Sequence, residues 1–127
     1  MAYLVTGGTG SMGAYVVRDL LKDGKDVVCF QRSGVTPFLR SVVGEDKYTN
    51  IKVVQGDISN SQQLFYVIQE NQIDTIIHLS SLILSTGLTE SQPAYALQVN
   101  CVGMNNLLEA GRIFGLRNSV LSESQRS

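Results

Sequence analysis

The sequence predicts a single doubly wound α/β domain over residues 1–127, built on a parallel sheet of about five strands. Short apolar runs near Tyr3, Val27, Ile51 and Thr75 alternate with segments of helical periodicity. The first run passes straight into a glycine-rich turn and then a helix. The second, Val27-Val28-Cys29-Phe30, is apolar without interruption, which suits a parallel strand covered on both faces.

Composition narrows the partners. The net charge is −1 and the charged residues are scattered, so neither a nucleic-acid groove nor a polybasic membrane patch is expected, and small molecules are the expected ligands. Cys29 and Cys101 lack metal-site spacing and are expected to be free, buried thiols in a reducing compartment. No apolar run approaches the roughly 20 residues of a membrane span, and a first strand near Tyr3 leaves no room for a signal peptide. A cytoplasmic location is the expectation.

Gly7, Gly10 and Gly13 have the spacing G-x-x-G-x-x-G, one residue longer between the first two than the dinucleotide fingerprint. Gly7 suits the tight turn, Gly10 lets the main chain approach a pyrophosphate, and Gly13 lets the helix lie against the strand. A helix beginning at Ser11 points unpaired N–H groups and a partial positive charge at such a group. A purely structural strand-to-helix turn would use the same glycines; the second strand that follows on schedule favours binding.

Met12, Val16, Val17, Leu20 and Leu21 recur at helical spacing opposite Arg18, Asp19 and Lys22, giving an amphipathic helix over residues 11–23 that Gly24 ends. Residues 26–31 form the second strand. After it, an acidic residue would hold the ribose hydroxyls of NAD, but Gln31, Arg32 and Ser33 stand there. A guanidinium beside a hydroxyl suits a 2′-phosphate and favours NADP over NAD, the other reading of Arg32 being a solvated loop arginine. Pro37, Phe38, Leu39, Val42 and Val43 predict one or two helical turns.

Residues 51–55 form the third strand, closed by Gly56, Asp57 and Ile58. Asp57 can accept from an adenine amino group with Ile58 over the ring, or it can cap the next helix, as Ser59, Asn60 and Ser61 also can; spacing does not choose. Leu64, Val67 and Ile68 stripe that helix to about Asn71. The fourth strand covers residues 74–78 and carries the only histidine, His78, read as a satisfied core residue rather than a base. Ser80 and Ser81 are small enough to let backbone approach a flat ring or ribose, and residues 82–91 are a loop suited to wall a substrate pocket.

From Pro93, Leu97, Cys101, Met104, Leu108 and Gly111 mark one face of a helix over residues 93–115, widened by Val102, Leu107 and Phe114. Such breadth points to a second packing partner, another subunit. A poor fifth strand is expected at residues 118–121, where only Val120 and Leu121 are strongly apolar.

With these residues placed, residues 3–117 resemble the N-terminal part of the extended short-chain dehydrogenase/reductase family, in its NAD(P)-dependent epimerase/dehydratase branch. The resemblance is carried by TGGTGSMG at residues 6–13, GDIS at 56–59, HLSS at 78–81 and QVNCVGMNNLLEAGRIFG at 98–115. It implies a Rossmann-like domain binding NADP or NAD, with Thr9, Gly10, Ser11 and Met12 on the pyrophosphate and Asp57 and Ile58 on the adenine. Leu79, Ser80 and Ser81 would line the nicotinamide ribose with Asn100 nearby, and Arg32 and Ser33 match members that prefer NADP. It further implies a nucleotide-sugar substrate in the complete protein and a homodimer through the helix at residues 93–115.

The C-terminal end departs from that pattern. The family's next strand ends in a hydroxyl that positions substrate and nicotinamide; aligned without a gap this is Ser124, but Glu123 replaces its small neighbour and Ser119 interrupts the strand. The family's Tyr-x-x-x-Lys, whose phenol is the acid/base, would lie beyond Ser127. Tyr48 alone has a lysine four residues on, Lys52, and is discounted because the chain between them leads into a strand rather than a helix. The expected protein is thus the dinucleotide-binding portion of a sugar-nucleotide epimerase, dehydratase or related reductase, C-terminally incomplete and inactive as this short chain. The rival is a non-catalytic cofactor-sensing or protein-interaction module on the same fold.

Overall fold

Five strands, β1 (Ala2–Thr6), β2 (Asp26–Gln31), β3 (Ile51–Gln55), β4 (Ile73–Ser80) and β5 (Arg117–Ser122), form one sheet in the order β3-β2-β1-β4-β5, every pair parallel. Helices α1 (Ser11–Lys22), α2 (Pro37–Val43), α3 (Glu45–Tyr48), α4 (Ser61–Glu70) and α5 (Pro93–Phe114) connect them. The computed structural model describes residues 2–7, 11–32, 37–80 and 93–122; within these, the side chains of 11–12, 80, 93–100 and 118–122 are left aside.

Alternation along the strands splits the core into two layers. Leu4 of β1 and Val28 and Phe30 of β2 face α4 and α5, where they meet Leu64, Val67, Ile68, Leu107 and Ala110. Their neighbours Val5, Val27 and Cys29 face the other way, onto Ala14 and Val17 of α1 and Leu39 and Val43 of α2. Burial on both faces is why β2 reads as an unbroken apolar run. Each fully buried Leu or Phe contributes roughly 1.5–3 kcal/mol.

β4 is longer than expected and contains an irregularity that the hydrophobic pattern hides. Ala2 pairs with Ile73 but Tyr3 pairs with Thr75, so Asp74 is an extra residue in the register. The bulge lets Ile73 and Ile76, three positions apart, face the same layer. Asp74 repays the broken ladder: its carboxylate accepts from the Ala2 N–H at 3.1 Å and from the Thr75 hydroxyl at 2.9 Å.

The expected face of α5 needs correction. Gly103, Leu107, Ala110 and Gly111 are buried, whereas Cys101 and Leu108 are exposed and Met104 is half-buried. Leu107 and Gly111 of the expected region are thus on the buried side and Cys101 and Leu108 are not, while the small residues Gly103, against Ile58, and Ala110, in the core, complete the buried stripe. Cys101 is correspondingly an exposed thiol and not a buried one, while Cys29 is buried as expected. Phe114 packs edge-on against Phe65 of α4, ring centroids 5.7 Å apart.

Tyr48 ends α3 and Lys52 lies on β3, at the sheet edge away from β4. The Tyr48 ring lies under the Arg40 guanidinium and the Lys52 ammonium bonds the Asn71 side chain, so the pair is not a catalytic Tyr-Lys unit.

Candidate dinucleotide site

The chain leaves β1 for β2 and β3 on one side, then crosses to the other side of β1 for β4 and β5. That reversal falls between β1 and β4, and it is outside the carboxyl ends of the strands at such a point that open α/β sheets take their ligands. The turn after β1 occupies this place. Gly7 has φ 78°, and a β-carbon on it would lie 2.6 Å from the Leu79 carbonyl oxygen at the end of β4. Backbone conformation and close approach both demand glycine here. Gly13 is buried within the first turn of α1.

Beneath this turn the Thr6 hydroxyl and His78 Nδ1 share a hydrogen bond of 2.5 Å across paired positions of β1 and β4. Burial lowers the His78 pKa from its ordinary 6.5 and favours the neutral ring. The histidine is a satisfied structural group, tying together the two strands that flank the reversal.

The second part of the site is the loop after β3. Asp57 does not cap α4. Asn60 does, its side chain accepting from the Gln63 N–H at 3.1 Å. Asp57 Oδ1 instead accepts from the Ser59 N–H at 2.9 Å and the Ser59 hydroxyl at 2.8 Å. Its other oxygen lies 4.0 Å from Arg32 Nε at the end of β2. The Ser59 N–H bond is the main cause of a lowered Asp57 pKa; desolvation opposes it, and the Ser59 hydroxyl and Arg32 guanidinium assist. The result is an ionised carboxylate and a largely exposed guanidinium side by side at the ends of β2 and β3.

Of the expected contacts, Gly7 and Leu79 adjoin at one side of the site and Arg32 and Asp57 at the other. Ile58 follows Asp57 but packs its side chain toward Gly103 of α5. Ser11 and Met12 open α1, Ser80 ends β4 and Asn100 lies in α5. Thr9, Gly10, Ser33, Ser81 and Ser124 lie outside the described residues.

Three groups shape the loop that the motif reading passed over. The Asn106 side-chain amide donates to the Ile58 carbonyl at 2.8 Å. Gln63 Oε1 accepts from the Asp57 N–H at 3.1 Å and its Nε2 donates to the Gln55 carbonyl at 3.3 Å. Gly103 leaves the notch that Ile58 fills. The spacing Asn60-x-x-Gln63, that of a capping box, was the available signal for Gln63.

The family model described as GDP-mannose 4,6 dehydratase matches residues 4–123. A UDP-glucose 4-epimerase from Pasteurella multocida is 34% identical over 125 residues, covering 98% of this chain and 37% of that protein. The structure of a UDP-glucose-4-epimerase from Stenotrophomonas maltophila with bound NAD and formylated UDP-arabinopyranose superposes with a TM-score of 0.79 at 27% identity, covering 94% of this chain and 36% of that one. A Thermus thermophilus UDP-glucose 4-epimerase complex with NAD gives 0.73 at 27% identity, covering 91% and 35%. The chain thus spans little more than a third of the length of the curated UDP-glucose 4-epimerase it matches in P. multocida. By the extent of the family match, by sequence and by a parallel sheet with its glycine turn at the point of reversal, the chain belongs to the GDP-mannose 4,6 dehydratase family, within the NAD(P)-dependent epimerase/dehydratase branch of the short-chain dehydrogenases/reductases.

Proposed function

We propose that this chain is the dinucleotide-binding portion of a sugar-nucleotide epimerase, dehydratase or related reductase, with NADP favoured over NAD. The observation that carries the reading is the Gly7 turn, pressed against Leu79 where the sheet reverses direction. The residues around it suit the cofactor. Main-chain amides at the start of α1 would face the pyrophosphate, helped by the helix dipole. Asp57, held ionised, would accept from the adenine amino group, and Leu79 with Ser80 and Ser81 would line the nicotinamide ribose. Bound there, the cofactor would supply hydride transfer to or from a substrate carbinol. The nucleotide-sugar substrate and the tyrosine-dependent proton transfer are proposed for the full-length protein alone. Relatives bearing NAD support a nicotinamide dinucleotide as the ligand, and the Arg32 guanidinium, two-thirds exposed at the end of β2, supports the 2′-phosphate.

Calorimetric titration of the purified chain with NADP(H) and NAD(H) tests this. Wild type is expected to prefer NADP(H), and Arg32→Ala to remove that preference by weakening NADP(H) about tenfold or more while leaving NAD(H) nearly unchanged. Equal affinities before and after the substitution would sink the 2′-phosphate assignment; no binding of either would sink the whole reading.

A homodimer through α5 is proposed alongside. Val102, Leu108 and Ile113 are exposed there, Leu108 by 55%. Light scattering across a concentration series should find a dimer that Leu108→Glu dissociates, and a monomer at every concentration would dispose of it.

A further inference from the structure

We propose that Asn106 and Gly103 of α5, with Gln63 of α4, are positioning residues for the adenine end of the dinucleotide site, acting through the loop at residues 56–59. The inference rests on the dinucleotide reading above and assigns duties to residues outside its motifs.

The loop is held from four directions. The Gly56 N–H donates to the Gln31 carbonyl at 2.6 Å, anchoring the loop to the end of β2. Gln63 spans it from α4, bonding the Gln55 carbonyl before the turn and the Asp57 N–H within it. Ser59 closes back on Asp57 Oδ1 through its N–H and hydroxyl. From α5, Asn106 takes the Ile58 carbonyl at 2.8 Å, a contact spanning 48 positions of sequence.

Each bond leaves an acceptor or donor of the loop engaged by protein, and together they fix where Asp57 Oδ2 points. That oxygen is directed toward the Arg32 side, at the mouth between β2 and β3. Gly103 adds a steric term. A β-carbon there would sit 2.5 Å from Ile58 Cδ1 and 2.6 Å from Cγ1, so any larger residue obliges the Ile58 side chain to shift in its notch. The Ile58 carbonyl that Asn106 holds belongs to the peptide joining Ile58 to Ser59, whose N–H bonds Asp57 Oδ1, so unseating Ile58 loosens the segment that orients this carboxylate. The helix therefore does more than cover the sheet: through Asn106 and Gly103 it seats Ile58 and with it the loop after β3. Preorganisation of this kind raises affinity by removing the ordering that a ligand would otherwise have to impose.

The test uses the ¹⁵N-labelled chain, titrated by NMR with two halves of the dinucleotide, 5′-AMP and nicotinamide mononucleotide. Asn106→Ala and Gly103→Ala should each weaken AMP about tenfold while nicotinamide mononucleotide stays within about twofold of wild type. A purely architectural role would weaken both probes together or neither, and either result overturns the proposal. Asp57→Ala separates the two levels. If it abolishes AMP binding while the Asn106 and Gly103 variants bind as wild type, the positioning inference falls and the dinucleotide reading stands; if it leaves AMP affinity unchanged, the adenine assignment itself falls. Gln63→Ala, expected to show the same split, keeps the test decisive should Asn106→Ala fail to fold.

Discussion

The two loops that frame the site differ in how much of their shape comes from side-chain hydrogen bonds. The turn after β1 is shaped by missing side chains: Gly7 adopts φ 78° and comes so close to the Leu79 carbonyl that no β-carbon fits. The loop after β3 opens on Gly56, where a β-carbon would lie 2.5 Å from the Phe30 ring, and from there is shaped by side chains present, with Gln63, Asp57 and Asn106 holding its peptide groups. The first is suited to a ligand that meets bare main chain, the second to one read by a single oriented carboxylate. A loop made by subtraction tolerates no addition, whereas a loop made by several hydrogen bonds loses its shape one bond at a time.

Substitutions should expose that contrast. Gly7→Ala combines left-handed backbone strain with a clash against a carbonyl of the neighbouring strand, and is expected to cost roughly 2–4 kcal/mol in urea unfolding. A loss under about 1 kcal/mol would mean the turn can relax, contrary to the geometry. Gln63→Ala removes two bonds from the other loop, one of them half-buried, and should cost only about 1–2 kcal/mol. Equal costs at both sites would erase the distinction.

Acid should reach the two loops at different pH. Burial sets the folded His78 pKa below its ordinary 6.5, so under that pH the unfolded chain takes up a proton that the folded chain resists. Stability therefore falls as pH drops from 6.5 toward the folded value, beginning beneath the Gly7 turn. Asp57 acts lower on the scale. Its folded pKa lies below the ordinary 3.8, so its contribution is present above 3.8 and is lost as pH falls through the folded value. In urea midpoints across the acid range, His78→Asn should flatten the upper limb and Asp57→Asn only the lower one. The reverse assignment would contradict the burial described for His78 and the hydrogen bonding described for Asp57.

The same contrast explains what could be read in the sequence. β1, β2, β3 and α1 were legible within a residue because their signals are local: apolar runs, helical spacing, glycine. The Gly7 turn was legible for that reason too. The bulge at Asp74 was not, since an extra residue changes which face is buried without changing composition. The buried face of α5 was read only in part, Leu107 and Gly111 being on it, because Gly103 and Ala110 pack by being small, which a search for large apolar residues passes over. Asn106 and Ile58 meet across two elements of structure, and no spacing predicts such a bond. Spacing left Asp57 two roles, and Asn60 in the capping position removes one of them.

Cys29 has a practical consequence. Burial in the centre of β2 pushes its thiol up to about 12, so near neutral pH it is protonated as well as sealed from reagents. A maleimide can reach that sulfur only when the surrounding layers come apart, which makes its rate of alkylation a clock for opening of the core. Cys101, exposed on α5, offers the accessible reference against which that clock can be read by mass spectrometry in a single sample of unaltered protein.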